Sequence, residues 1–259
     1  MGKIQFTGLL TLSLSTVACA PPVAPAELQE LACFLFEHAD DEDDEYLQVG
    51  LQNLSAWLDG NHEEDIEEGY QIQLLTDQAV QDLNGTDFTL TDDLVGAAVA
   101  HRGHRVRDWA RATTVEDWEE IIGEDQYEYY TRDFIEGEDC ILERDCLQAE
   151  ARSESELVQL GVSIISKNYI QYRWVEFGDG EWGFIHRSWL TEPPTVSSEL
   201  VEPNAQYFLA ASLPKSGGAV RVQATWIDTK IVGINVPKNQ VVKTMRDQGD
   251  AIDVFLDAE

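Results

Sequence analysis

Positive charge is what this chain has least of: 17 Lys and Arg stand against 49 Asp and Glu, a formal net charge of −32. Binding to nucleic acid rests on neutralising phosphates with basic side chains, so no nucleic-acid partner is expected. Adhesion to anionic lipid head groups is disfavoured for the same reason. Histidine is down to five residues, cysteine to four and methionine to two. No Cys/His set has the spacing of a tetrahedral zinc site. No stretch approaches the roughly 20 apolar residues that a bilayer-spanning helix needs. A Gly-x-Ser-x-Gly elbow and a P-loop are both missing. No Gly-x-Gly-x-x-Gly nucleotide loop is assigned, Gly178-Asp179-Gly180 reads as a hairpin turn, and no internal repeat is visible. No cofactor, metal site or catalytic residue is therefore assigned.

Aromatic residues are not lacking. Seven Trp, eight Tyr and nine Phe, within 43% hydrophobic residues, exclude the disordered class to which acidic chains poor in aromatics belong. So acidic a surface fits either adaptation to high salt or ordinary drift.

The start is a targeting segment. Lys3 supplies a positive charge, Ile4 to Leu14 is mostly apolar and uncharged, and small residues lead to Cys19, the layout of a secretory signal. Thr16-Val17-Ala18-Cys19 resembles the lipobox of bacterial type II signal peptides. The resemblance implies a diacylglyceryl group on the Cys19 sulfur, cleavage after Ala18 and N-acylation. Two or three acyl chains anchor a protein stably. A plain secretory cleavage near Ala18 or Ala20 is the competing reading. Ala20, where Asp would mark inner-membrane retention, favours the outer membrane. The expected organisation is a signal peptide over 1–18, a lipidated Pro/Ala-rich tether over 19–26, and one α+β domain over 27–259.

Three cysteines remain. Cys140 and Cys146 bracket a short polar loop and form the natural disulfide in an oxidising compartment. Cys33, within Leu31-Ala32-Cys33-Phe34-Leu35-Phe36, reads as a buried thiol, although a bridge from it to Cys140 or Cys146 is left open.

Apolar spacing predicts helices over 27–37 and 46–58, and a strand over 69–75. Further helices are expected over 91–100 and 118–122, the second opened by the capping-box pattern at Thr114–Asp117, and a strand over 127–135. The second half is richer in β-branched and aromatic residues. Strands are expected over 162–166 and 169–177, then a hairpin through Gly178–Gly180 into 181–190. A second hairpin joins 207–213 to 219–228. A helix over 240–256 closes the chain. The fold class is α+β: N-terminal helices and mixed elements, then an antiparallel β-meander closed by a C-terminal helix. This element order, over residues 45–259, loosely resembles the helix-grip arrangement of START-like lipid-binding domains. Tyr172-Arg173-Trp174-Val175, Arg187-Ser188-Trp189-Leu190, Leu94-Val95-Gly96-Ala97-Ala98 and the Cys140–Cys146 loop are similar to uncharacterised lipoproteins of myxobacteria-like lineages, which implies no activity.

A basic island at His101, Arg102, His104, Arg105, Arg107 and Arg111 stands out against the acidic background. Arg102, Arg105 and Arg107 are candidate anion ligands, with pairing to nearby acids such as Asp108, Glu116 and Asp117 as the favoured alternative. His101 and His104 would share a helix face but lack further metal-site context. Asp59 to Glu67 imitates a calcium loop, yet Glu64 and Tyr70 occupy the positions that demand Gly and Glu. The Asp40 to Glu45 run reads as a solvated loop. His186 and Ser188 share a strand face without a marked acid. Trp174, Trp182, Trp189 and Trp226 would line a ligand cavity or, more simply, fill a core. The leading expectation is a non-catalytic envelope lipoprotein, anchored through Cys19, that binds an apolar ligand under the C-terminal helix or serves as an interaction surface for an envelope protein. A hydrolase with a site built from scattered residues is the alternative.

Overall fold

The computed structural model describes residues 21–60, 69–81, 83, 90, 93–123, 126–159 and 161–258. Cys19, the signal segment and most of the calcium-like loop lie outside them. Two helices come first, α1 (Leu28–Glu37) and α2 (Glu45–Gly60). Each buries leucines at helical spacing: Leu28, Leu31 and Leu35 in α1, and Leu47, Leu51, Leu54 and Leu58 in α2. Of the strand expected over 69–75 only β1 (Tyr70–Gln71) pairs, followed by the short α3 (Asp77–Gln81).

The helix expected over 91–100 is not found in its described residues, 93–100. Val95–Gly103 is strand β2, with Ala97 on one face and Ala98 on the other both fully buried. A short apolar run covered on both faces has no period that separates strand from helix. Next come α4 (Val106–Thr114), α5 (Glu119–Ile122), β3 (Tyr127–Glu136) and α6 (Glu138–Ile141). The helix at 118–122 exists, but Asp117 opens it, accepting from the Glu119 amide at 2.9 Å. The reciprocal side-chain cap sits instead at α4, where Asp108 accepts from the Arg105 amide at 2.9 Å.

The remaining elements are β4 (Gln148–Gln159), β5 (Val162–Gly178), β6 (Glu181–Leu190), β7 (Thr195–Val196), β8 (Val201–Lys215), β9 (Gly218–Ile231), β10 (Ile234–Asn235) and α7 (Lys238–Asp257). The strands expected over 162–166 and 169–177 are one strand, and both hairpins form. Gly178-Asp179-Gly180-Glu181-Trp182-Gly183 has the letter spacing of a dinucleotide fingerprint, but it turns strand into strand, with Asp179 and Gly180 at positive φ. The fingerprint requires a helix at that point.

All strand pairs are antiparallel, in the order β1-β2-β9-β8-β6-β5-β4-β3, with β10 on β9 and β7 on β5. Period-two alternation splits the side chains between two faces. One face packs on α1 and α2 and carries Tyr169, Val175, Ile185, Trp189, Leu209, Leu213, Val222 and Trp226. The other is covered by α4, α5, α6 and α7. There Trp109 of α4 packs with Ile252 and Leu256 of α7, and Val241, Val242 and Met245 of α7 lie on Ala97 and Val99 of β2. Gly249 lets α7 close onto the sheet: a Cβ there would stand 1.9 Å from the His101 ring. The fold is thus α+β, an antiparallel sheet with the C-terminal helix laid across one face, as the element order implied.

Candidate functional site

The two faces treat buried charge differently. On the α1/α2 face, Arg173 and Arg187 are 4% and 1% exposed. Arg173 donates from Nε to Asp44 Oδ1 at 2.8 Å and from Nη1 to the Ala39 and Asp41 carbonyls. Arg187 pairs with Asp40 at 3.0 Å and donates to Phe36 O at 2.7 Å and to Gln171 Oε1. The Asp40–Glu45 run is therefore not simply solvated, because two of its carboxylates neutralise buried guanidinium groups.

On the α4/α7 face the register lays out rows of side chains. Tyr172, His186, Ala210, Gln223 and Val99 form one, flanked by Trp174, Phe184, Ser212, Arg221 and His101 on one side. On the other side lie Ile170, Ser188, Phe208, Thr225 and Ala97. Arg132 is buried but satisfied: Nη1 donates to Thr113 O at 2.7 Å and Val115 O at 2.6 Å, the carbonyl end of α4, and Nε to the Tyr130 hydroxyl. Tyr172 donates to Thr113 O at 2.9 Å, and His101 Nε2 lies 3.0 Å from Gln223 Oε1.

Arg221 is 1% exposed and has no such company. Nη1 reaches the Ser212 hydroxyl at 3.3 Å, the Trp109 ring centroid lies 5.5 Å from the guanidinium carbon, and Nε is enclosed without a partner. Burial pulls its guanidinium down to about 9, against an opposing pull from the Tyr172 hydroxyl. His186 lies between the Tyr172 and Phe208 rings, with centroids 5.1 Å from each. Both its nitrogens are enclosed and unpartnered. Burial, then the charges of Arg221 and Arg132, push its pKa well below the usual histidine value, so the ring is neutral at pH 7. His186, Ser188 and Phe208 are nevertheless only half-buried, whereas their neighbours Arg187, Trp189, Tyr207 and Leu209 on the opposite face are buried. Burial and an unpaired cation are the physical marks of a site rather than of a core.

The basic island does not converge. Arg102 projects from β2, exposed. Arg105 forks onto Asp108, with Nε–Oδ2 at 3.0 Å and Nη2–Oδ1 at 2.9 Å. Arg107 pairs with Glu143, and Arg111 lies over the Phe255 ring. His101 is on strand β2 and His104 is in the following turn at φ 52°, so they share no helix face. Among the described residues no group of three or more His, Cys, Asp and Glu is placed to hold a metal. The four tryptophans divide by parity. Trp189 and Trp226 fill the α1/α2 core, while Trp174 and Trp182 flank Arg144 on the other side, so they line no common cavity. Cys140 and Cys146 form a disulfide, and Cys33 is a free buried thiol. A separate polar groove of about 360 Å³ lies near the β3–β4–β5 side, lined by residues including Asp133, Arg152, Glu154, Lys167 and Tyr169. Arg221 went unmarked in the sequence because alternation in β9 gives it the same pattern as any outward-facing charge.

No family model matches the chain, and none of the curated proteins matches it. Solved structures do. An uncharacterised protein from Rhizobium leguminosarum is 13% identical, covering 64% of this chain and 97% of its own, with a TM-score of 0.39. A START superfamily protein from Mycobacterium smegmatis is 10% identical over 64% of this chain and 97% of its own, with a TM-score of 0.36. The lipid transfer and protein localization domain of human StarD13 is 11% identical over 63% and 74%, with a TM-score of 0.32. At such values the functional reading rests on this chain's own side chains.

Proposed function

We propose that this chain is a non-catalytic binding module of the bacterial envelope, anchored through acylated Cys19 and taking an apolar or amphipathic ligand between the sheet and the helices α4, α5 and α7. The observation that carries the reading is His186: two enclosed, unpartnered ring nitrogens at mid-sheet, beside the half-buried Ser188 and Phe208. A packed core leaves few such groups, and each costs about 1–3 kcal/mol unless something pairs with it. The aromatic and aliphatic residues around it, Ile170, Tyr172, Phe184 and Phe208, suit the apolar part of a ligand.

Native mass spectrometry of the full chain bearing Cys19→Ser, kept free of detergent, tests the ligand. A co-purified mass released on denaturation is expected; a clean apo mass that takes up no added amphiphile overturns the reading. Fractionation tests the anchor. The wild-type chain should sediment with the outer membrane and Cys19→Ser should be soluble, and a variant that still needs detergent rejects acylation at Cys19.

A further inference from the structure

We propose that Arg221 is the counter-charge for an anionic ligand head group, a carboxylate, held on the α4/α7 face of the sheet with His186 as a neutral hydrogen-bond donor beside it. The proposal rests on the binding reading above and adds the chemical class.

Other buried arginines in the same molecule give the comparison. A buried cation without a counter-charge is costly, and a chain with 49 acidic residues has ample means to provide one. It does so for Arg173 and Arg187, through Asp44 and Asp40. Arg132 is met by carbonyl oxygens at the C-terminus of α4, where the helix dipole favours a cation. For Arg221 there is one hydroxyl at 3.3 Å and an aromatic ring. The buried acid among the described residues, Asp228, lies at even parity on β9, on the face opposite Arg221. Its neighbour Asn204 lies 3.2 Å away.

The geometry then selects the ligand. Nε and one Nη of a guanidinium form a flat edge that matches the two oxygens of a carboxylate, and the Nε side of this edge is the unused one. One uncompensated positive charge matches a monoanion better than a phosphate dianion. Neutral His186 carries a single N–H on one of two unpartnered nitrogens. It can donate to a carboxylate oxygen without adding charge. Phe208, half-buried one row away, offers apolar contact to a chain attached to the head group.

Isothermal titration of the full chain bearing Cys19→Ser with dodecanoate, dodecanol and acetate separates the possibilities. Dodecanoate should bind about 10- to 100-fold more tightly than dodecanol, the range of a hydrogen bond to a charged group, and more tightly than acetate. Arg221→Gln should remove that preference while dodecanol binding stays within about twofold. If that variant does not fold, Arg221→Lys should retain a reduced preference, because it keeps the charge and loses the fork. Equal affinity for dodecanoate and dodecanol in the parent chain overturns the carboxylate proposal and leaves the binding module standing. Acetate binding as tightly as dodecanoate keeps the anion site and overturns the amphiphile reading. Failure of all three to bind overturns both.

Discussion

Single residues decide where this protein is inert and where it is responsive. Cys33 is buried, donates toward the Gln73 and Leu74 carbonyls, and has its thiol pushed up to about 12 by burial and by Glu37. It should resist iodoacetamide in the native protein and react fully in urea; mass spectrometry of the alkylated chain reads the difference, and native labelling would show that the α1 core opens. His186 is the responsive residue. Its folded pKa lies well below 6.5, so at pH values between the two the unfolded chain binds a proton that the folded one does not. Stability must therefore fall as pH drops below about 6.5. His186→Phe should flatten the slope of urea-unfolding stability between pH 7 and pH 5, and an unchanged slope would mean that the ring titrates freely. At this scale the sequence was partly legible. The Cys140–Cys146 bridge and the buried Cys33 followed from spacing and local apolarity. The roles of Arg221 and His186 did not, because strand alternation shows which residues share a face but not which face will be covered by helices.

Elements were legible where their period was clean. The leucines of α1 and α2, the aromatic hairpin of β5 and β6, and α7 all showed theirs. Strand β4 escaped notice because its inward positions are Ala149, Ala151, Ser153 and Ser155, small residues without the β-branched signature. Strand β2 was mistaken because Ala-rich runs favour helix intrinsically, and pairing with β9 outweighed that preference. Two substitutions test how elements lock together. Gly249→Ala improves helix propensity yet places a Cβ on the His101 ring. It should destabilise by about 1–3 kcal/mol, the usual range for overpacking, and adding His101→Ala should recover much of the loss. Asp44→Ala strands Arg173. The expected cost is about 1–3 kcal/mol, below that of a fully buried pair because Asp44 keeps 27% of its side chain exposed. Exposed Glu42→Ala, in the same run, should change stability by less than about 0.5 kcal/mol. Urea-unfolding midpoints check both, and equal effects of the two acidic substitutions would mean that the Asp44–Arg173 pair holds nothing.

For the whole molecule, the class and the meander closed by a C-terminal helix could be read in advance, and the packing of α1 and α2 on the reverse of the sheet could not. That arrangement depends on pairings between distant residues that no local pattern announces. The surface charge has a global consequence. A net charge of −32 works against compaction, and salt screens it over about 10 Å at 0.1 M. The urea midpoint should rise between 0.05 and 1 M NaCl; a flat response would show that the acids are already compensated where they stand. The clasp between the acidic run and the sheet also dictates an order of events. Asp44 lies 129 positions before Arg173, Phe36 lies 151 before Arg187, and β2 must wait for β9. As synthesis proceeds from the first residue, the opening helices, which pack on each other, emerge long before the strands they grip. The β3–β6 meander can pair as it emerges, but the sheet closes only once β9 exists for β2 to join, and a chain with such distant contacts folds slowly.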